Sequence, residues 1–129
     1  MREMMRRDQA ASALGMTVEV DEPGHAVVSM PVRDDMLNGF SITHGGLVFT
    51  LADTAFAIAC NEDDRVTVAG GADITFLKST RLGQTLTASA VRRIVNGRNG
   101  LYDVTVTDET GDTVAEFRGR SITTNRILG

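Results

Sequence analysis

Between Phe40 and Asn61 the chain carries a single formal charge, Asp53, set among Leu47, Val48, Phe49, Leu51, Ala52, Ala55, Phe56, Ala57, Ile58 and Ala59. A carboxylate is costly to bury and weak as a helix former, so one in the middle of an apolar segment calls for a hydrogen-bonded partner or a chemical task. Burial raises its pKa, which suits a general base or nucleophile; the structural alternative is a carboxylate satisfied by backbone or hydroxyl donors. The segment opens with His44-Gly45-Gly46. Two residues without side chains leave the first helical amides open, where the helix dipole adds about half a positive charge. Such amides polarise an ester or thioester carbonyl and stabilise the oxyanion of its tetrahedral intermediate. Glycine here equally permits a tight entry or close packing.

Spacing adds a constraint. Gly45 and Asp53 are eight positions apart, which on a helix is about 12 Å along the axis and about 80° around it. Groups acting on one small carbonyl must each lie within about 3 Å of it. If both act on the same carbonyl they therefore come from different chains, from an antiparallel helix pair with two identical sites. Thr50, Thr54, Ala57 and Asn61 fall near Asp53 on the helical wheel, as a pocket wall or as a helix-packing stripe. Asn38 and His44 could orient substrate or water, or could simply structure the loop and cap the helix.

Positive charge is grouped at Lys78 and Arg81, at Arg92, Arg93 and Arg98, and at Arg118 and Arg120. A phosphate-bearing substrate could use some of these, the alternative being the solvated face of a sheet. The two histidines, His25 and His44, lie in unrelated segments without zinc-enzyme spacing, so no metal is expected. No phosphate loop, dinucleotide glycine fingerprint or nucleophile elbow is present. Cys60, the one cysteine, excludes an intrachain disulfide and reads as a small buried hydrophobe rather than a reactive thiol.

These residues need a scaffold. The segment from His44 to Asn61 is apolar on nearly every face and predicts a buried helix. Before it, Met16–Asp21 and His25–Pro31 alternate around the turn Glu22-Pro23-Gly24 and predict a hairpin, while residues 32–43 lack periodicity and predict a loop. Residues 1–15 predict a short helix or arm ending at Gly15. After Asn61 the period becomes two, predicting strands at 66–77, 86–96, 101–108 and 113–124, with Tyr102, Val104 and Val106 on one face. Successive strands at hairpin spacing are expected to pair antiparallel and curl around the helix as twist accumulates. The helix offers more apolar surface than one sheet covers, so a second subunit is expected over the remainder.

At 129 residues, with no repeat or linker, the chain is expected to be one domain. Its net charge of −4 argues against a general nucleic-acid binder. No apolar run approaches the ~20 residues of a membrane span, and no apolar stretch follows the basic amino end as in a secretory signal. Cytoplasmic residence is the expectation.

The order of two strands, long helix and four strands resembles the hotdog fold, an α+β architecture with a curved antiparallel sheet around one central helix. Asn38-Gly39, then His44-Gly45-Gly46, then Leu51-Ala52-Asp53-Thr54-Ala55 resemble the acyl-CoA thioesterases of phenylacetate degradation. The likeness runs from about residue 8 to 124 and continues at Asp73-Ile74-Thr75-Phe76-Leu77 and Phe117-Arg118-Gly119. It implies that the Gly45 amide polarises the thioester, that Asp53 of the partner subunit is nucleophile or general base, and that Asn38 and His44 position substrate or water. It implies hydrolysis of phenylacetyl-CoA or a ring-hydroxylated relative, without a cofactor, by a homodimer sharing its sites within a homotetramer. Gly46, Thr54, Asp73, Thr75, Lys78 and Arg81 complete the expected contacts to substrate or CoA. The alternatives are a thioesterase for medium or long fatty acyl-CoA, or a non-catalytic acyl-CoA sensor, for which residues 1–15 are too short to form a helix-turn-helix output module. A dehydratase on the same fold would want a histidine placed with its acidic residue, and Asp53 has none on the helix.

Overall fold

A computed structural model describes residues 2–127. Its elements in chain order are α1 (Glu3–Arg6), α2 (Gln9–Ala13), β1 (Thr17–Glu22), β2 (His25–Pro31), a 3₁₀ turn at Asp34–Met36, α3 (Gly45–Cys60), β3 (Arg65–Phe76), β4 (Thr85–Asn96), β5 (Asn99–Thr107) and β6 (Thr113–Ile127). All six strands form one antiparallel sheet in the order β1-β2-β4-β5-β6-β3, and it wraps around α3.

Both ends of α3 are set by side chains. His44 is the N-cap, with extended backbone and its Nδ1 accepting from the Gly46 N–H at 3.2 Å, so the imidazole proton sits on Nε2. At the other end the Asn61 amide donates to the Ala57 carbonyl (2.7 Å) and pairs with the Thr67 backbone in both directions, at 3.0 and 2.8 Å. That one side chain ends the helix and docks the start of β3. The Arg2 guanidinium donates to the carbonyls of Ile58 and Asn61 and pairs with Asp21, placing positive charge where the helix dipole is negative.

The core lies between α3 and the inner sheet face. Leu51, Ala52, Ala55, Phe56, Ile58 and Ala59 meet Val28, Met30, Leu86, Ala88, Tyr102, Val104, Val106 and Phe117. Phe56 is its centre, with ring centroids 5.6 Å from Tyr102 and 5.8 Å from Phe117. It lies so close to β6 that a Cβ on Gly119 would stand 2.6 Å from the ring, which requires glycine there.

Two expectations are corrected. β3 and β4 do not pair: β3 joins β6 at one edge, and β4 joins β2 in the interior. The residues between them cross one end of the sheet instead of turning, held by Leu77 N–H to Val114 O (2.8 Å), Thr43 N–H to Thr80 O (2.8 Å) and Val32 N–H to Gln84 O (2.8 Å). In addition, the amino segment forms two short helices where one helix or an arm is expected.

Candidate active site

Gly45 is the first residue of α3, and its N–H has no acceptor among the described residues. The neighbouring Gly46 N–H is already taken by His44. One amide of the pair is therefore open and the other occupied. Gly45 lines a cavity of about 300 Å³ with Asn38, Val48, Phe76 and Lys78. The Phe76 ring covers the glycine so closely that a Cβ would meet it at 3.2 Å. Asn38 spends its Oδ1 on the Phe40 and Ile42 amides, at 2.8 and 3.4 Å, which folds the loop into α3; its Nδ2 has no acceptor among the described residues.

Asp53 is half-buried two turns further along α3, and no donor or cation among the described residues bonds to its carboxylate. Burial first, and the Asp8 charge second, push its pKa above the ordinary carboxylate value. It lines a different cavity, of about 420 Å³, with Met4, Arg7, Phe56, Ala57, Cys60, Asn61, Val66 and Arg126. In one chain, then, the open amide and the raised carboxylate face separate spaces, as their helical spacing requires. Cys60 sits in the floor of the second space with its thiol pushed up to about 12, chiefly by burial, so it stays a protonated, inert side chain.

Several expected contacts are redirected. Thr54 is buried and its hydroxyl donates to the Thr50 carbonyl at 2.7 Å, while Thr50 donates to Gly46 O at 2.8 Å; the stripe beside Asp53 satisfies itself. Asn61 is a structural cap. Lys78 reaches the Gly45 cavity, but its ammonium is held between Asp108 (2.6 Å) and Asp112 (2.8 Å), tying the β5–β6 turn to the crossing segment and raising its pKa. Asp73 and Thr75 lie opposite Arg118 and Glu116 on the outer sheet face, line neither cavity, and Asp73 pairs with Arg120 at 3.3 Å. Of the two cations, the Lys78 ammonium is paired with Asp108 and Asp112, whereas the exposed Arg81 guanidinium has no acidic partner among the described residues. Phe76 and Met4 are among the wall residues that sequence reasoning missed. Phe76 reads as one member of a strand alternation, and Met4 is separated from Asp53 by the whole of β1 and β2.

This sheet-wrapped helix, with an open amide at its start and a carboxylate two turns in, defines a hotdog thioesterase. Residues 40–115 match the model of the thioesterase superfamily, and the chain belongs to that family. It is 44% identical over 118 residues to the acyl-coenzyme A thioesterase PaaI of Escherichia coli, covering 92% of this chain and 84% of that one. The solved structure of E. coli PaaI, from the phenylacetic acid degradation operon, superposes with a TM-score of 0.94 at 41% identity, over 98% of this chain and 91% of the other. A structure of the phenylacetic acid degradation protein PaaI from Thermus thermophilus gives 0.87 at 35% identity, over 91% and 100%. A Streptococcus mutans protein bound to acetyl-CoA gives 0.83 at 28% identity, over 88% and 91%.

Proposed function

We propose that this protein hydrolyses aryl-acyl-CoA thioesters, phenylacetyl-CoA or a ring-hydroxylated relative, to the free acid and coenzyme A. The observation that carries the reading is the separation of the free Gly45 amide from the raised, unpaired Asp53 carboxylate on one helix. Likeness to PaaI supports the aryl substrate and the acetyl-CoA-bound relative supports the CoA ester. The site forms between two copies. β3 is an edge of the sheet with Val68, Phe76 and Leu77 exposed on and beside it, and an unpaired apolar edge is a template for a second strand. Two copies joined there bring the helix start of one toward Asp53 of the other, and two such dimers make a tetramer. The one cysteine is a free thiol, which suits the reducing cytoplasm.

The thioester oxygen accepts from Gly45 N–H of one chain while Asp53 of the other faces its carbonyl carbon. Along one route Asp53 takes a proton from water as the water oxygen bonds to that carbon; the oxyanion rests on the amide, then collapses, the C–S bond breaks, and the thiolate leaves with the proton returned by Asp53. Along the other, the Asp53 carboxylate attacks, thiolate leaves, and water hydrolyses the resulting anhydride. Single turnover in H₂¹⁸O identifies the anhydride route when label enters Asp53, because water opening the anhydride at the aspartyl carbonyl leaves its oxygen there and direct attack of water on the thioester never does. The Asn38 amide nitrogen and His44 Nε2–H position the carbonyl or the water. Arg81, exposed and without an acidic partner among the described residues, is the cation we assign to CoA phosphate. The direct test is thiol release by purified protein from phenylacetyl-, acetyl- and palmitoyl-CoA. Fastest turnover of the aryl ester is expected, and no release from any of the three overturns the assignment.

A further inference from the structure

The cavity beside Asp53 has a composition that suits the acyl group better than the CoA arm. Its floor is Phe56, Ala57 and Cys60, its far wall is Val66, Val68 and Ala69 at the edge of β3, and its near wall is Met4 from α1. Its charged residues besides Asp53, Arg7 and Arg126, are both exposed. A compact apolar group fits such a space, whereas a long chain would have to carry its tail past two guanidiniums. The near wall is held in place from both sides. Arg2 anchors the start of α1 to the Ile58 and Asn61 carbonyls at the end of α3 and to Asp21 of β1. At the other end of the segment the Asp8 carboxylate caps α2 by accepting from Ala11 N–H at 2.9 Å. Met4, half-buried between these two anchors, is packed against the core.

Resting on the thioesterase reading above, we infer that Met4 sets the size limit of the acyl pocket and that the amino-terminal segment is a specificity wall of the active site. The thioether makes a favourable sulfur–aromatic contact with a small aryl ring, and with its stem packed against the core it occupies the space a larger ring needs. Arg2 acts only as a positioning residue, through the carbonyls it holds.

The test uses the intact protein with acetyl-, phenylacetyl- and 2-naphthylacetyl-CoA, comparing ratios of kcat/KM. Met4→Ala opens the wall and is expected to raise the naphthylacetyl to phenylacetyl ratio by ~10-fold, within the range that pocket methylenes give. Met4→Trp fills it and is expected to lower the phenylacetyl to acetyl ratio by a similar factor. The opposed signs make the outcome independent of any general loss of folding, because a merely structural role changes all three rates in proportion. Proportional changes in both variants, with an active wild type, overturn the Met4 assignment alone. A wild type that releases thiol from none of the three overturns the thioesterase reading beneath it.

Discussion

Two inactive versions of this chain should repair each other. Gly45→Pro removes the proposed oxyanion donor at low conformational cost. Proline is favoured at the first helical position, where its missing N–H has no intrahelical partner, and His44 already has the extended backbone (φ −61°, ψ 128°) that a pre-proline residue adopts. Losing one such donor costs about 10²–10³ in kcat, or about 2.7–4 kcal/mol of transition-state stabilisation. Gly45→Ala is the control. It keeps the N–H and adds only a Cβ 3.2 Å from the Phe76 ring, a contact that a shift of a few tenths of an ångström relieves. The second chain is Asp53→Asn, which removes the proposed base or nucleophile and should cost at least about 10²–10⁴.

When the Gly45→Pro and Asp53→Asn chains are co-refolded in equal amounts, half the dimers are mixed. In each mixed dimer one site joins the intact Gly45 amide of one chain to the intact Asp53 of the other, while the second site lacks both. About a quarter of wild-type turnover should return, as two-fold symmetry dictates for shared sites. The assay is thiol release from phenylacetyl-CoA before and after co-refolding, with melting curves to show that each variant is folded alone. No recovery from two folded, inactive parents would mean that the groups do not act in pairs across chains. A Gly45→Ala chain as slow as Gly45→Pro would mean that bulk rather than the amide causes the loss.

Asp53 also links activity to stability. Its folded pKa lies above the unfolded value near 3.8, so the native state binds the proton more tightly, and stability falls as pH rises from the unfolded value through the folded one. Asp53→Asn should therefore melt higher than wild type at pH 7, and the gap should close toward pH 3; an equal or lower melting temperature at pH 7 refutes the buried-charge cost. Wild-type kcat/KM should drop as pH falls through the raised pKa, with the acid limb above the ordinary carboxylate range. Gly119→Ala puts a methyl 2.6 Å from the Phe56 ring and should destabilise the fold by about 1–3 kcal/mol in urea denaturation, the range for an overpacked core. Arg81→Ala should raise KM several-fold for phenylacetyl-CoA and not for the phosphate-free N-acetylcysteamine thioester, and equal effects on the two would remove Arg81 from phosphate binding.

What the sequence makes legible follows from how locally each feature is determined. The helix at Gly45–Cys60 is encoded within itself, by an apolar run broken only by Thr50, Asp53 and Thr54 with a capping residue at each end, and so is the distance from Gly45 to Asp53. Strand positions are nearly as local, since alternation marks them. Strand order is not. β3 reads as the first of a series of hairpins, yet its partner β6 begins 37 residues after β3 ends, and nothing in the intervening pattern says which edge it joins. The same limit governs charge. Lys78 looks available for phosphate until the fold brings up two carboxylates 30 and 34 positions away, whereas Arg81, three residues on, gains none among the described residues. Met4 is hidden for the same reason, because only the closed fold lays the amino-terminal segment against the end of α3. The proposed catalytic pair is legible because one helix carries both members at fixed spacing. The cavity walls come from Met4, Val66, Phe76 and their neighbours, far apart in the chain, and they meet only once the sheet has closed around that helix.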